Sequence, residues 1–201
     1  MTKIKLCGLS RAGDIEAANR LKPDCVGFVF APKSRRCVSP DKATALKRLL
    51  APEIKAVGVF VDERPEQIAD LLKKGVIDVV QLHGNEDEAY IGYLRQLADK
   101  PIIRAFRIET AGDAGRAEQS AADYVLLDSG AGTGTAFDWS LIRGVKRPYF
   151  LAGGLTPDNV AEAVKTLRPF AVDVSSGIET GGVKDKAKMA AFVAAVQEAN
   201  K

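Results

Sequence analysis

The chain has 201 residues, of which 46% are hydrophobic, so it can bury one substantial core and needs no second domain. Its 29 basic and 26 acidic residues are interspersed and leave a net charge of +3, which excludes the basic tail of many nucleic-acid-binding proteins. No apolar run approaches the roughly 20 residues of a membrane helix, and three cysteines with a single histidine favour neither disulfides nor a structural zinc site.

The first apolar run covers residues 3–8, so the given sequence enters a predicted strand at once. Together with the unpaired cysteines, this start predicts a cytoplasmic protein. We expect a monomer that binds neither nucleic acid nor a membrane.

Eight apolar runs of strand type alternate with segments of helical spacing along the whole chain. The helical segments cover 11–21, 41–50, 66–74, 87–98, 113–120, 157–167 and 184–198, with a single turn near 140–143. The apolar runs end at Gly8, Phe30, Val61, Gly84, Phe106, Asp128, Gly154 and Gly177.

Several of these runs, such as 57–61 and 79–82, lack clean alternation, which is typical of parallel strands covered by helices on both faces. Eight strand–helix units predict an α/β fold, a compact (β/α)8 TIM barrel formed by residues 1–201. Because such barrels usually have about 250 residues, the helices and loops must be short. An open doubly wound sheet is the alternative, but no Gly-x-Gly-x-x-Gly follows the first strand.

Two helix starts carry strong signals. Ser39-Pro40 and Thr156-Pro157 each place a hydroxyl before a proline, as expected for an N-cap followed by the first helical residue.

Chemistry in a barrel takes place where the strands end, so polar residues at those ends are candidates for an active site. Cys7 ends the first strand and is either a base or nucleophile or a buried thiol, and a thiolate there needs a positive charge nearby. His83 is predicted to contact substrate, although a histidine that supports the rim is equally plausible. Asp128 follows four apolar residues, and partial desolvation would keep a proton on it for donation, whereas the alternative role is to cap a turn. Asp173, in the last strand, is the fourth candidate, and Ser175 after that strand is the fifth.

Two small-residue turns follow neighbouring strands, at Gly153-Gly154 and at Ser175-Ser176-Gly177. The loops after strands seven and eight form the usual phosphate site of a TIM barrel, with backbone N–H groups as donors. Tight turns alone would also require glycine. After strand two, Arg35 or Arg36 could grip a carboxylate with a planar guanidinium.

Motifs at successive strand ends follow one another in order along the chain: Lys5-Leu6-Cys7-Gly8-Leu9, Gly27-Phe28-Val29-Phe30, Ser39-Pro40, Val57-Gly58-Val59-Phe60-Val61, Val80-Gln81-Leu82-His83-Gly84, Gly132-Thr133-Gly134, Phe137-Asp138-Trp139, Ala152-Gly153-Gly154-Leu155 and Val172-Asp173-Val174-Ser175-Ser176-Gly177-Ile178-Glu179. Taken together, over Lys3 to about Asp185, these motifs resemble phosphoribosylanthranilate isomerase of tryptophan biosynthesis.

The resemblance implies a cofactor-free Amadori rearrangement of N-(5-phosphoribosyl)anthranilate to 1-(2-carboxyphenylamino)-1-deoxyribulose 5-phosphate. It implies that Cys7 is the general base, Asp128 the general acid and Arg36 the clamp for the anthranilate carboxylate. Asp173 would bind a sugar hydroxyl or have a structural role.

Two alternatives remain open from the sequence. The related aminoaldose isomerase of histidine biosynthesis performs the same rearrangement, but that family carries an aspartate where this chain has Cys7. A barrel without activity that binds a sugar phosphate is the other, and the presence of Cys7 and Asp128 argues against it.

Overall fold

Eight parallel strands close into a barrel in the computed structural model of the chain, which describes residues 1–128, 138–142 and 144–201. Neighbours in the chain are neighbours in the sheet, and β8 pairs with β1 so that Leu6 lies opposite Val174. This closure confirms the predicted (β/α)8 barrel. The strands are β1 (Lys3–Cys7), β2 (Cys25–Val29), β3 (Lys55–Phe60), β4 (Val79–Leu82), β5 (Ile102–Arg107), β6 (Tyr124–Asp128), β7 (Tyr149–Leu151) and β8 (Ala171–Val174).

Seven α-helices lie in the described part of the chain. A single 3₁₀ turn, Trp139–Ile142, follows β6 where one turn is predicted. Residue 143 of that prediction and the glycine-rich loop 130–136 lie outside the described residues. The helices are α1 (Ala12–Leu21), α2 (Pro40–Leu49), α3 (Pro65–Lys73), α4 (Glu88–Leu97), α5 (Ala111–Glu118), α6 (Val160–Leu167) and α7 (Lys186–Ala199).

The strands are buried on both faces, as their composition predicts, but the two faces meet different surroundings. In β1, Ile4 and Leu6 belong to the apolar core that includes the surrounding helices. Cys7 instead packs with Val29 and Val59, from the next two strands, inside the barrel. Alternate residues of each strand therefore point into the barrel, and those nearest the carboxyl ends are available for a site.

Ser39 caps α2 as predicted, because its side chain accepts a hydrogen bond from the Lys42 amide and Pro40 is the first helical residue. The predicted start of α6 is wrong. A turn over 157–159 precedes the helix, and Asn159, not Thr156, is the N-cap. The Asn159 Oδ1 accepts a hydrogen bond from the Thr156 amide at 2.8 Å, which fixes that turn.

The predicted start of α7 is also wrong by two residues. Lys184 belongs to a short antiparallel ribbon, β9 (Glu179–Thr180) and β10 (Val183–Lys184), inserted between β8 and α7. Asp185 then caps α7 by accepting hydrogen bonds from the amides of Ala187 and Lys188. The ribbon places the charged groups of Glu179 and Lys184 beside the barrel mouth.

Candidate active site

A cavity of about 530 Å³ opens at the carboxyl ends of the barrel strands. This volume is in the range of small-molecule sites. Gly177, predicted to bind phosphate, does not line the cavity, because a Cβ there would collide with the carbonyl oxygen of Leu155 and the residue packs behind the wall. The other nine predicted site residues all line it: Cys7, Arg36, His83, Asp128, Gly153, Gly154, Asp173, Ser175 and Ser176.

Cys7 ends β1 and is 7% exposed, with its thiol turned into the barrel. The neighbouring strand makes room for it, since a Cβ on Gly27 would lie 2.6 Å from the Cys7 Sγ. Burial raises the pKa of the Cys7 thiol, and the charge of Lys5 opposes that rise. The protonated thiol is therefore the favoured form of Cys7, and the cation that a thiolate needs is already next to it.

That cation is held by a carboxylate. Lys5 is fully buried, and its Nζ lies 2.9 Å from both carboxylate oxygens of Asp173 in β8. Burial works to lower the pKa of Lys5, but the charge and the hydrogen bonds of Asp173 raise it above its ordinary value. Lys5 is thus an ammonium ion beneath the cavity. The sequence reasoning missed it, although the signal is its position two residues before Cys7 on the same side of the strand.

Asp128 approaches the cavity from β6, three strands from β1 around the barrel. Its Oδ2 lies 3.8 Å from Nε2 of His83, which follows the end of β4. The other ring nitrogen of His83, Nδ1, lies 3.0 Å from the side-chain nitrogen of Gln81. Asp128 therefore belongs to a chain of polar side chains that begins inside the barrel at Gln81.

Arg36 and Arg35 share one buried partner, Glu179 in β9. Arg36 makes two hydrogen bonds to it, Nε to Oε1 at 2.6 Å and an Nη to Oε2 at 2.8 Å, whereas Arg35 makes one at 2.8 Å. The Arg36 side chain is 21% exposed and the Arg35 side chain 60%. A fork-to-fork contact holds a guanidinium in one plane, so Arg36 is the better ordered of the two.

Glu179 also binds Lys184, whose Nζ lies 2.7 Å from Oε1. Burial works to raise the pKa of Glu179, but the hydrogen bonds from Arg36 and Lys184 lower it to about 2. Three cations around one carboxylate leave the mouth of the cavity positive, which suits an anionic ligand. Neither Glu179 nor Lys184 was predicted as a site residue. The only sequence signal for Glu179 is that it ends the last of the family motifs, and Lys184 lies outside those motifs.

The two predicted phosphate loops lie side by side at the cavity. Gly153 and Gly154 have φ values of +86° and +66°, the left-handed region that favours glycine. Among the residues that the structure describes, none accepts a hydrogen bond from the amides of these two glycines. Lys184 reaches the second loop, where its Nζ donates to the Ser175 carbonyl oxygen at 2.8 Å. Free amides next to a lysine are suitable partners for a phosphate.

Residues 1–128, 138–142 and 144–201 contain no group of three or more His, Cys, Asp or Glu side chains arranged to hold a metal ion. In the same ranges no helix is long and apolar enough to cross a membrane.

Comparison with known proteins identifies the family. A family model described as N-(5'phosphoribosyl)anthranilate (PRA) isomerase matches residues 4–195. The chain belongs to the phosphoribosylanthranilate isomerase family. The resemblance predicted from the strand-end motifs is thereby confirmed, and the family is one of isomerases.

Individual members of the family match over nearly their full length. The N-(5'-phosphoribosyl)anthranilate isomerase of Endomicrobium trichonymphae is 45% identical over 194 residues, which cover 94% of this chain and 95% of that protein. The crystal structure of the Thermotoga maritima enzyme superposes with a TM-score of 0.89 at 37% identity, covering 98% of this chain and 100% of that one. Another phosphoribosylanthranilate isomerase structure, in complex with reduced 1-(o-carboxyphenylamino)-1-deoxyribulose 5-phosphate, superposes with a TM-score of 0.87 at 36% identity and the same coverage.

Proposed function

We propose that the chain converts N-(5-phosphoribosyl)anthranilate into 1-(2-carboxyphenylamino)-1-deoxyribulose 5-phosphate, the isomerisation step of tryptophan biosynthesis, with Cys7 as general base and Asp128 as general acid. The observation that carries the proposal is the cavity itself. It has a thiol and a carboxyl group on different strands, between a positively charged rim and two loops with free amides. The family and the product analogue bound to one of its members support this substrate.

The two ends of the substrate are bound first. Its phosphate would accept hydrogen bonds from the amides of Gly153 and Gly154 and from Ser175 and Ser176, near the Lys184 ammonium. Its anthranilate carboxylate would pair with Arg36, whose guanidinium Glu179 already orients. Fixing both ends leaves the reacting carbons C1 and C2 between acid and base. Binding then meets most of the entropic cost of bringing the reacting groups together before the chemical step.

Asp128 then gives its proton to the ribose ring oxygen. The C1–O bond breaks, and the nitrogen lone pair forms the C1=N bond of a protonated Schiff base. The Cys7 thiol first gives its own proton to solvent, and the positive charge on the Schiff-base nitrogen makes the proton on C2 acidic enough for the thiolate to remove. The electrons of the C2–H bond form the enolamine, and Cys7 now carries the C2 proton. The ketone forms when the enol oxygen gives its proton back to the Asp128 carboxylate and C1 takes one from the Cys7 thiol, which restores the acid and the base.

The thiolate needs a counter-charge at the moment of this transfer. Lys5 supplies a permanent one below Cys7, and the cationic Schiff base adds a second above it. A thiol whose pKa is raised by burial is a stronger base in its thiolate form than an exposed thiol. Asp173, paired with Lys5, is proposed to contact a sugar hydroxyl on the same side. No cofactor takes part, and we expect a cytoplasmic monomer.

The test is to mix fresh phosphoribosylanthranilate with purified, metal-free protein and follow the loss of anthranilate-type fluorescence. Cys7→Ala and Asp128→Ala should each lower kcat by about a hundredfold or more while circular dichroism stays unchanged. Cys25→Ala is the matched control, because Cys25 begins β2 at the other end of the barrel, and it should turn over normally. Full activity in either active-site variant would contradict the assigned roles. Turnover of the histidine-pathway aminoaldose alone, or binding without turnover, would contradict the substrate or the enzymatic function.

A further inference from the structure

Gln81 is a buried polar residue that the proposed reaction does not use. It lies in β4 opposite Val59 of β3 and Ile103 of β5, and is 1% exposed. Its side-chain oxygen, Oε1, has no hydrogen-bond partner among the described residues. Leaving a buried amide oxygen unpaired destabilises a protein by about 1–3 kcal/mol. A leucine of similar size would avoid that cost, so stability does not explain an amide at this position.

The other end of the amide explains it better. The Gln81 Nε2 can only donate, and it lies 3.0 Å from Nδ1 of His83. Nδ1 must therefore accept, and in a neutral imidazole the single hydrogen is then on Nε2. Nε2 is the atom that faces Asp128, 3.8 Å from its Oδ2. The amide thus decides which ring nitrogen presents a hydrogen to the carboxyl group.

We propose that Gln81 is a positioning residue for the acid step: it holds His83 in the neutral tautomer with hydrogen on Nε2, and His83 in turn orients Asp128. The donor at Nδ1 leaves Nε2 as the ring nitrogen that carries the hydrogen in the neutral imidazole. An imidazolium beside Asp128 would stabilise the carboxylate and weaken the acid. With the hydrogen on Nε2, the ring presents an N–H group to the Asp128 carboxyl across the 3.8 Å between Nε2 and Oδ2. This inference rests on the proposed role of Asp128.

The chain offers a direct probe, because His83 is its only histidine. Protein labelled with ¹⁵N-histidine should give a single set of ring signals in a two-bond ¹H–¹⁵N correlation spectrum, with the pattern of the Nε2–H tautomer. The Gln81→Leu variant should give a mixture of tautomers. A wild-type spectrum with hydrogen on Nδ1, or identical spectra for the two proteins, would overturn the proposal. The measurement needs no turnover, so it is independent of whether the isomerase assay succeeds.

Kinetics distinguish positioning from packing. Gln81→Leu should lower kcat about ten- to hundredfold and leave KM within about twofold, because substrate binding does not depend on the tautomer. Its resistance to urea should equal or exceed that of the wild type, since an unpaired amide oxygen is removed. Gln67→Leu, on the exposed surface of α3, is the matched control and should leave kcat unchanged. Wild-type kcat in Gln81→Leu would contradict the proposal.

A second variant covers the case in which the leucine fails to fold. Gln81→Glu has nearly the same shape, but its carboxylate accepts a hydrogen bond where the amide donates one. It should either move the hydrogen of His83 to Nδ1 or create an imidazolium, and both states are visible in the ¹⁵N spectrum. We expect kcat to fall at least as far as in Gln81→Leu. A kcat near the wild-type value would overturn the proposal, whereas absence of turnover in the wild type would refute the proposed function instead.

Discussion

Individual residues act in pairs two positions apart along the strands. Lys5 lies two residues before Cys7, and Gln81 lies two residues before His83, so that each pair points into the barrel from one strand. In both pairs the deeper residue controls the charge or the hydrogen of the shallower one. In the proposed mechanism the chemistry therefore depends on Lys5, below the cavity, as well as on the polar groups that line it, which include Gln81.

Cys7 experiences opposite electrostatic effects from the two members of the buried ion pair. The charge of Lys5 lowers the pKa of the thiol, and the charge of Asp173 raises it. Lys5→Met should therefore slow the reaction of Cys7 with iodoacetamide at pH 8 by about three- to tenfold, and Asp173→Asn should accelerate it, because only the thiolate reacts. The rates are measured in a background of Cys25→Ser and Cys37→Ser, so that Cys7 is the only thiol.

Two controls accompany this measurement. Circular dichroism must show a folded barrel, since removing one partner of a buried ion pair is destabilising. Lys3 is exposed and lies two residues before Lys5 in β1, so Lys3→Met should leave the alkylation rate unchanged. Changes of the same sign in Lys5→Met and Asp173→Asn would mean that altered access, not charge, governs the reactivity of Cys7.

Much of the candidate site could be predicted from residues, and the part that could not has a physical reason. Cys7, His83 and Asp128 end apolar runs, and the geometry of a parallel barrel brings all such ends to one face. Lys5 and Gln81 lie inside runs, where a polar residue reads as a local irregularity until its partner is known. The partner of Lys5 lies in a distant part of the chain. The contact between Gln81 and His83 depends on side-chain orientations that the sequence does not specify.

At the scale of elements, the loop after β7 is fixed by the side chain that begins α6. Asn159 accepts a hydrogen bond from the Thr156 amide at 2.8 Å and donates one to the Gly154 carbonyl oxygen at 2.9 Å. Both bonds lie next to the amides proposed to bind phosphate. Asn159→Ala should raise KM about three- to tenfold with little change in kcat, because a loosened loop weakens binding that is equal in ground and transition states.

The matched control is Asn19→Ala. Asn19 makes two comparable bonds, to the Leu49 carbonyl oxygen at 2.8 Å and the Ala51 amide at 2.9 Å, in a loop far from the proposed phosphate site. Both variants should lose about 1–2 kcal/mol of unfolding free energy in urea, but only Asn159→Ala should change KM. Equal KM values in the two variants would contradict a role of Asn159 in phosphate binding.

Elements were predicted well where local chemistry decides them. The strand 79–82 has the predicted bounds, and α2 begins where Ser39-Pro40 predicts. The signal at Thr156-Pro157 is of the same kind, yet a turn intervenes, because Asn159 competes for the cap and binds the loop. The β9–β10 ribbon was missed because a strand of only two residues is too short to show a periodic pattern in the sequence.

The whole molecule divides into a catalytic end and an end that holds the strands together. At the second end, three aspartates just before even-numbered strands each accept a hydrogen bond from an amide near the start of the strand before. Asp24 binds the Ile4 amide at 2.9 Å, Asp78 binds the Ala56 amide at 2.8 Å, and Asp123 binds the Ile102 amide at 2.8 Å. The device repeats at β1–β2, β3–β4 and β5–β6, so it fixes the register of six of the eight strands.

These aspartates should therefore matter for stability and not for turnover. Asp24→Ala, Asp78→Ala and Asp123→Ala should each lower the free energy of unfolding by about 1–3 kcal/mol, the contribution of a hydrogen bond to a charged group. Because the three sites share no partner, the triple variant should lose close to the sum of the single losses. Urea unfolding measures the losses. Asp99→Ala is the control that should have no effect, because Asp99 is exposed before β5.

At temperatures where the variants stay folded, kcat and KM should match the wild type, because all three carboxylates lie at the amino ends of the strands. A folded triple variant with impaired turnover would show that strand register at this end is transmitted to the cavity, and that the two ends of the barrel are not independent.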